Sequence, residues 1–471
     1  MTGSHERGAS WQLVACVVLV VALVHAPSLG APLLGDDYRL IARVSTDGQA
    51  DLARVIADAT TPLGDRPGPR FWRPLWQLSF WLDLTLWGPR PAGFHATNLA
   101  LHALAAVALG RLALALGLAP RAALAVACLF AGWPTHHEAV PWIAARCGPM
   151  ATGLTIAALG WALKGRTRLA TGAALLAMLS KETGFIVAPL CAAAVALCEG
   201  PRVALRRTGP MWLGAGLCLA ARTWILGTPV GGYPQVPLSP LRPDFVAAQA
   251  NTLGSLLGGV RADLFGAAVP LVAGLALAAI LCLGAWRRRD EHRNAWRLAL
   301  TWAVLAWVPI SPFLVSPIDQ ADSRFLYGLV APLSLALVVA LGRLGLPTWR
   351  LVAGVLVLAV LNQGPRRDAE ALADQLFPRI QALAMDGAGT LVVLAGVPDR
   401  PGGVVVGRNA FPDALRPLYT DQLLARPALV LTDTPEGRAR LRGLLDATAQ
   451  DADARVLTWD SGSGVFVDLP R

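Results

Sequence analysis

The sequence predicts a polytopic α-helical membrane protein of about 11 transmembrane helices, with helices lying on the outer membrane surface and a small C-terminal α/β domain. Three observations predict it. First, 55% of the 471 residues are hydrophobic and only 15% charged, with a mean hydropathy of +0.50; a soluble domain carries about a quarter charged residues. Second, apolar stretches near the ~20 residues needed to cross a bilayer recur along the first three quarters of the chain. Third, the formal charge of +10 is unevenly divided. The tail, 364–471, holds 12 Arg and 14 acidic residues, so the apolar part carries +12. A disordered chain, a secreted disulfide scaffold and an ordinary cytosolic enzyme are excluded. A basic surplus confined to the apolar part speaks against nucleic acid as a partner and for cytoplasmic loops under the positive-inside rule.

The expected spans fall near 11–30, 93–117, 121–140, 148–163, 167–180, 183–198, 210–227, 263–285, 297–316, 325–343 and 349–364. The first has Arg7 before an apolar core but no clean small-x-small cleavage site after it, so a retained helix is expected rather than a signal peptide. With the N-terminus in the cytoplasm, parity puts the loops at Arg121, at 164–168, at 202–207, at 287–297 and at 343–350 on the cytoplasmic side. Those are the basic loops. The tail then lies extracytoplasmic, and a bacterial-type inner (plasma) membrane is the expected location. Only Lys164 and Lys181 are lysines, against 39 arginines.

Between the first two spans, 71–87 reads FWRPLWQLSFWLDLTLW. Trp prefers the headgroup layer, where its ring is half apolar and its N–H finds a partner, so an interfacial helix is expected. The segment 228–243 carries five prolines and reads as a surface loop, with a second interfacial segment at 245–260. In the tail, short apolar runs such as 391–394, 404–406, 428–431 and 465–467 read as strands, and 368–385 and 436–449 have helical spacing. The domains expected are therefore 1–364 and 365–471. The seven cysteines show no paired spacing and read as small buried hydrophobes.

Charge at membrane depth is costly, so each polar group there is a functional candidate. Asp36 and Asp37 follow the first span. Adjacent carboxylates at a low-dielectric boundary push each other's pKa values apart, which suits a general base with an orienting neighbour; a solvated helix-end pair is the plain alternative. His95, Asn98 and His102 share one helix face, consistent with interhelical hydrogen bonds or with substrate ordering. His136, His137, Glu138, Trp142 and Arg146 occupy a short outer loop. Neighbouring histidines point different ways, so this pair alone builds no metal site. Lys181 and Glu182 join two spans with almost no loop, as an internal salt bridge or as a cation held for a phosphate. Asp319, Asp322, Arg324 and Tyr327 open the tenth span, where an arginine fork suits phosphate oxygens.

These motifs, in order, resemble the integral-membrane glycosyltransferases of the C superfamily, and within it the protein O-mannosyltransferases of the transmembrane, TPR-containing, cadherin-directed type and their bacterial relatives. The segments carrying the resemblance are Gly35-Asp36-Asp37-Tyr38, Trp72-Arg73-Pro74-Leu75, Gly93-Phe94-His95-Ala96-Thr97-Asn98 through His102, Pro134-Thr135-His136-His137-Glu138 through Arg146, Leu179-Ser180-Lys181-Glu182-Thr183, and Ser323-Arg324-Phe325-Leu326-Tyr327. It covers 1–345 and departs at the C-terminus, where no TPR-type repeat follows. It implies an outward-facing site, a polyprenyl-phosphate-linked sugar as donor and an acceptor hydroxyl on a protein, glycan or lipid. It further implies an inverting displacement with Asp36 as base and Asp37 beside it. Lys181 and Arg324, then Arg146 and Arg73, are the candidates for the donor phosphate, and His95, His102, His137, Glu138, Glu182 and Tyr327 for ordering substrate. No cofactor or metal is expected, although the oligosaccharyl branch of the superfamily uses a divalent metal. A transporter would instead show inverted repeats with midplane charges. A non-catalytic assembly protein for cell-envelope glycans would put its working part in the tail.

Overall fold

The computed structural model describes residues 2–62, 70–229, 232, 244–287 and 292–385, and in the tail 391–397, 406, 428–432, 438–439, 441–442, 454–460, 463 and 465–468. The helices are α1 (Thr2–His25), α2 (Asp36–Arg43), α3 (Leu52–Asp58), α4 (Pro74–Trp87), α5 (Pro91–Ala115), α6 (Pro120–Ala131), α7 (His136–Ala139), α8 (Cys147–Leu163), α9 (Thr167–Ser180), α10 (Val187–Glu199), α11 (Pro201–Leu226), α12 (Phe245–Gly258), α13 (Ala262–Phe265), α14 (Ala268–Trp286), α15 (Arg293–Trp307), α16 (Tyr327–Leu344), α17 (Thr348–Leu361) and α18 (Gly364–Met385). Strands β1 (Ser45–Thr46) and β2 (Gln49–Ala50) form a small hairpin, and β3 (Leu391–Val397), β4 (Ala428–Thr432), β5 (Ala454–Asp460) and β6 (Val465–Asp468) lie in the tail.

A helix lies on each expected span, and among the described residues five are long and apolar enough to cross a membrane. Burial separates their surroundings. Most residues of the apolar window in Ser323–Leu344 are buried, so it runs through the protein interior, whereas few of those in Ala268–Trp286 are. On the latter, Leu271, Val272, Leu275 and Leu283 are all more than half exposed. Such a helix is stable in lipid, which satisfies its apolar surface while the helix satisfies its own backbone.

Contact clustering divides the chain into two compact units: residues 1–28, 56–76 and 95–363, and residues 29–55, 77–94 and 364–471. In the first, α8 pairs with α9, α10 with α11, and α16 packs against α15, α14 and α6 around Phe130, Trp133, Trp302 and Tyr327. Small residues allow these approaches. A Cβ on Gly284 would lie 2.5 Å from that of Ala340, so α14 and α16 meet there only because residue 284 is glycine.

In the second unit the four tail strands run in the order β4-β3-β5-β6, with β3 parallel to both neighbours and β5 antiparallel to β6. Ala369, Ala373, Leu376, Phe377 and Ile380 form the buried stripe of α18, at the spacing of one helix face. Phe377 meets Tyr38 at 4.8 Å between ring centroids.

Local geometry departs from the sequence expectations in several places. The third span ends at Ala131, because Gly132-Trp133-Pro134 breaks the helix before Pro134 and α7 is a separate short turn. The basic run 202–207 is helical rather than a loop, since Pro201 starts α11 at its first position. Among the cysteines, Cys128, Cys147 and Cys191 are buried, but Cys198 and Cys282 are exposed on the helix bundle; all seven are free thiols. The expected loop 228–243, the 404–406 run and the helix at 436–449 fall largely or wholly outside the described residues.

Candidate functional site

The first unit gathers a cluster of four cations and three carboxylates. Its centre is the turn between α9 and α10, where Lys181 is extended (φ −161°) and a tight turn, Glu182–Ile186, follows. Gly184 makes this turn possible, because a Cβ there would lie 2.2 Å from the carbonyl oxygen of Ala177. The extended Lys181 sends its side chain and that of Glu182 to different partners.

Glu182 does not pair with Lys181. Its carboxylate accepts from Arg73 Nε at 3.2 and 3.1 Å and Nη2 at 2.7 Å, and from Arg222 Nη1 at 3.1 Å. Such a bidentate fork is the strongest arginine–carboxylate geometry. Arg73 also lies 4.1 Å over the Phe71 ring and 3.6 Å from the Cys147 sulfur. The internal Lys181–Glu182 salt bridge, one of the two sequence readings, is therefore replaced by a Glu182 clamp on two arginines.

Lys181 is 9% exposed and, among the described residues, forms no ion pair. Its Nζ sits 5.6 Å from the centroid of the Phe325 ring, and the Arg324 guanidinium sits 4.8 Å from the same ring. Burial pushes the Lys181 ammonium below the ordinary lysine value; Arg73 and Arg324 push the same way, against Cys147 and Glu182. Lys181, Arg324, Thr152, Thr155, Thr183 and Tyr327 line one recess with Trp302.

Arg324 is held by acids on two sides. Glu138 of α7 accepts from its Nη1 and, at 3.0 Å, from its backbone N–H; Asp322 accepts from Nη2 at 2.7 Å. Its guanidinium also lies 5.0 Å from the Trp142 ring centroid. The recess thus has one cation fixed by carboxylates and one, Lys181, that forms no ion pair among the described residues.

Beneath it the polar groups are structural struts. His102 Nε2–H donates to the Ala131 carbonyl at 2.9 Å, which leaves Nδ1 to accept from the Tyr327 hydroxyl at 2.8 Å. Arg146 is fully buried and donates to Asn98 Oδ1 at 2.8 Å, while the Asn98 amide donates to the carbonyls of Val140 and Trp142. His137 Nδ1 donates to the Pro134 carbonyl at 3.2 Å. His95 and His136 are buried, and burial together with the neighbouring His102, His25 and His137 pushes the His136 imidazole well down.

In the second unit Asp36 and Asp37 open α2 in different surroundings. Asp37 is fully buried and its Oδ2 accepts the Leu34 N–H at 3.0 Å. Asp36 is half-buried. Burial, with Asp37 and Asp374 nearby, drives the Tyr38 phenol up. Among the described residues no three His, Cys, Asp or Glu come together as a metal-ligand group.

The structure therefore brings together Arg73, Glu138, Lys181, Glu182, Arg324 and Tyr327 in one unit. It places Arg146, His95, His102 and His137 in the packing behind them. Arg222 escaped sequence reasoning, although a lone arginine inside a span was itself a signal.

Helices of this length and composition define a polytopic membrane protein. No family model matches the chain. Over 205 residues it is 32% identical to the Protein O-mannosyl-transferase Tmtc2 of Drosophila melanogaster, a match covering 40% of this chain and 22% of that protein. Over 148 residues it is 34% identical to Tmtc1 of the same organism, covering 31% and 17%. The chain thus matches about a fifth of the length of these relatives. Among solved structures, the archaeal oligosaccharyltransferase AglB from Archaeoglobus fulgidus, in complex with an inhibitory peptide and a dolichol-phosphate, superposes with a TM-score of 0.53. That match has 11% identity and covers 98% of this chain and 74% of AglB. Both comparisons fall in the superfamily that the sequence motifs resemble.

Proposed function

We propose that this protein is a membrane glycosyltransferase that moves a sugar from a polyprenyl-phosphate donor to an acceptor hydroxyl, with inversion at the anomeric carbon. The observation that carries the reading is Lys181: a buried ammonium without an ion-paired acid among the described residues, beside Arg324 in a recess that Thr152, Thr155 and Thr183 also line. A buried cation without a counter-ion is unfavourable in the empty protein and is relieved by an anion. A lipid phosphate supplies one, and in the displacement that phosphate leaves with its charge stabilised by Lys181 and Arg324. The names of the matched relatives, mannosyltransferases, and the dolichol-phosphate bound by AglB support this choice of chemistry.

The base in this reading is Asp36. Asp37 is committed to the Leu34 N–H and shut off from solvent, whereas Asp36 is partly accessible. The Asp36 carboxylate takes the acceptor proton, the acceptor oxygen attacks the anomeric carbon, and the bond to the phosphate oxygen breaks. Arg73 is a positioning residue that holds Glu182 and the Lys181 turn. The N-terminus is cytoplasmic and the tail extracytoplasmic in a bacterial-type inner membrane, with domains at 1–364 and 365–471. The test is transfer from radiolabelled polyprenyl-phosphate sugars in membranes. Asp36→Asn is expected to lose general-base catalysis, about 10²–10⁴-fold, while keeping donor binding. Full transfer by a folded Asp36→Asn protein overturns the assignment of the base, and absence of transfer from every donor by the wild type overturns the function.

A further inference from the structure

We propose that a groove on the first unit, between α5, α8 and α9, binds an anionic phospholipid, with the acyl chain along the groove and the phosphate on Lys164 and Arg166. The groove arises from two glycines on α8. At Gly153 a Cβ would meet that of Ala105 at 3.2 Å, so α5 and α8 are in contact. Two turns later, at Gly160, nothing lies within 4 Å. The helices part between these points, leaving a trough of about 1570 Å3 counted to its open side.

Its walls are apolar, with Leu104, Leu112, Leu154, Trp161 and Leu176 among them, and Leu104 is 66% exposed. Its lining also carries charge, from Arg111 of α5 and from Lys164 and Arg166 of the turn after α8. That turn is anchored by Arg207, whose Nη1 donates to the Ala162 carbonyl at 3.1 Å and whose charge Glu199 neutralises through two bonds of 2.6 and 2.7 Å. Lys164 and Arg166 are exposed and form no ion pair among the described residues. An apolar trough ending in exposed cations without ion pairs among the described residues is complementary to an acyl chain ending in an anion, more than to a zwitterionic lipid.

The charged end of the groove is distinct from the Lys181 recess, although its other end reaches Pro149 and Met150 beside it. Gly148 and Thr152 of α8 line the recess and Lys164 lies just past the other end of the helix, roughly 18–24 Å away along its axis. This is also where one of the two lysines in an arginine-rich chain is used.

The experiment is native mass spectrometry of the full, delipidated chain in detergent, titrated with palmitoyl-oleoyl phosphatidylglycerol, the matching phosphatidylcholine or undecaprenyl phosphate. Phosphatidylglycerol is expected to bind in preference to phosphatidylcholine. The exposed double variant Lys164→Gln/Arg166→Gln should lower its affinity roughly 30-fold, from two charges at a lipid headgroup. Gly160→Leu, which fills the trough, should remove binding of either lipid with helix content and Tm retained; if that variant does not fold, the charge variant decides alone. Equal binding of the two phospholipids, or unchanged phosphatidylglycerol affinity in the charge variant, overturns the proposal. So does displacement of phosphatidylglycerol by undecaprenyl phosphate at a Gly160-dependent site.

Discussion

Replacing Lys181 by Met separates a ligand-binding cation from a structural one. Met keeps the length of the side chain and removes the charge. In the folded protein the Lys181 ammonium is buried without an ion pair among the described residues, so its removal takes away a desolvation cost rather than a bond. The thermal midpoint in detergent should therefore hold or rise. A phosphate bound in the recess would lose one charge-assisted hydrogen bond, about 1.5–3 kcal/mol, which is roughly 10–150-fold in donor affinity. The pH dependence follows from the same group. Only the protonated amine holds the phosphate, and burial lowers its pKa. Wild-type affinity should fall as pH rises through that lowered value, at a pH where an exposed lysine would still be charged, and the Lys181→Met profile should lack this limb. The assay is equilibrium binding of a polyprenyl phosphate across pH, with Tm measured on the same samples. A drop in Tm with unchanged affinity would refute the reasoning and make Lys181 a packing residue.

Three further outcomes test the surroundings. Glu182→Gln leaves Arg73 and Arg222, with side chains 11% and 4% exposed, without their acid, so unfolding should be easier by about 3–5 kcal/mol; a Tm unchanged in detergent would mean the clamp is idle. Gly184→Ala drives a Cβ to 2.2 Å from a backbone oxygen and should destabilise strongly, whereas Gly160→Ala, with nothing within 4 Å, should be neutral or stabilising by helix propensity; equal Tm values for the two would contradict the packing of the turn. His136 stays neutral in the fold at pH values where the unfolded chain binds a proton. Stability is therefore complete above pH ~6.5 and lost as pH falls below it, by up to about 1.4 kcal/mol per unit for this group, and His136→Phe should flatten that slope in denaturation measured between pH 7 and 5.

The positions of the helices were legible because a span in lipid is decided by composition over a local window. Every backbone bond in it is satisfied within the same twenty residues or so. The boundaries were less legible where proline acts in opposite ways: Pro134 stops a helix and Pro201 starts one, depending on which side of it the apolar run lies. The ordered motifs around Asp36, Arg73, His102, Glu138, Lys181 and Arg324 also stood out, since charge and histidine are scarce in such a chain.

Who pairs with whom was not legible. Adjacency in sequence suggested Lys181 with Glu182, yet Glu182 takes Arg73, 109 residues away, and Arg222, 40 residues away. Glu138 takes Arg324 across 186 residues. Arg146, a candidate for phosphate by its charge, is spent on Asn98. The reason is physical: an ion pair in a low-dielectric setting is chosen by fork geometry and by what else is within reach, and both are set by how distant helices pack. Composition and local patterning already mark this chain as membrane-crossing and locate its scarce charges; the packing of distant helices sets, among the described residues, that Glu182 neutralises Arg73 and Arg222 and that Lys181 forms no ion pair.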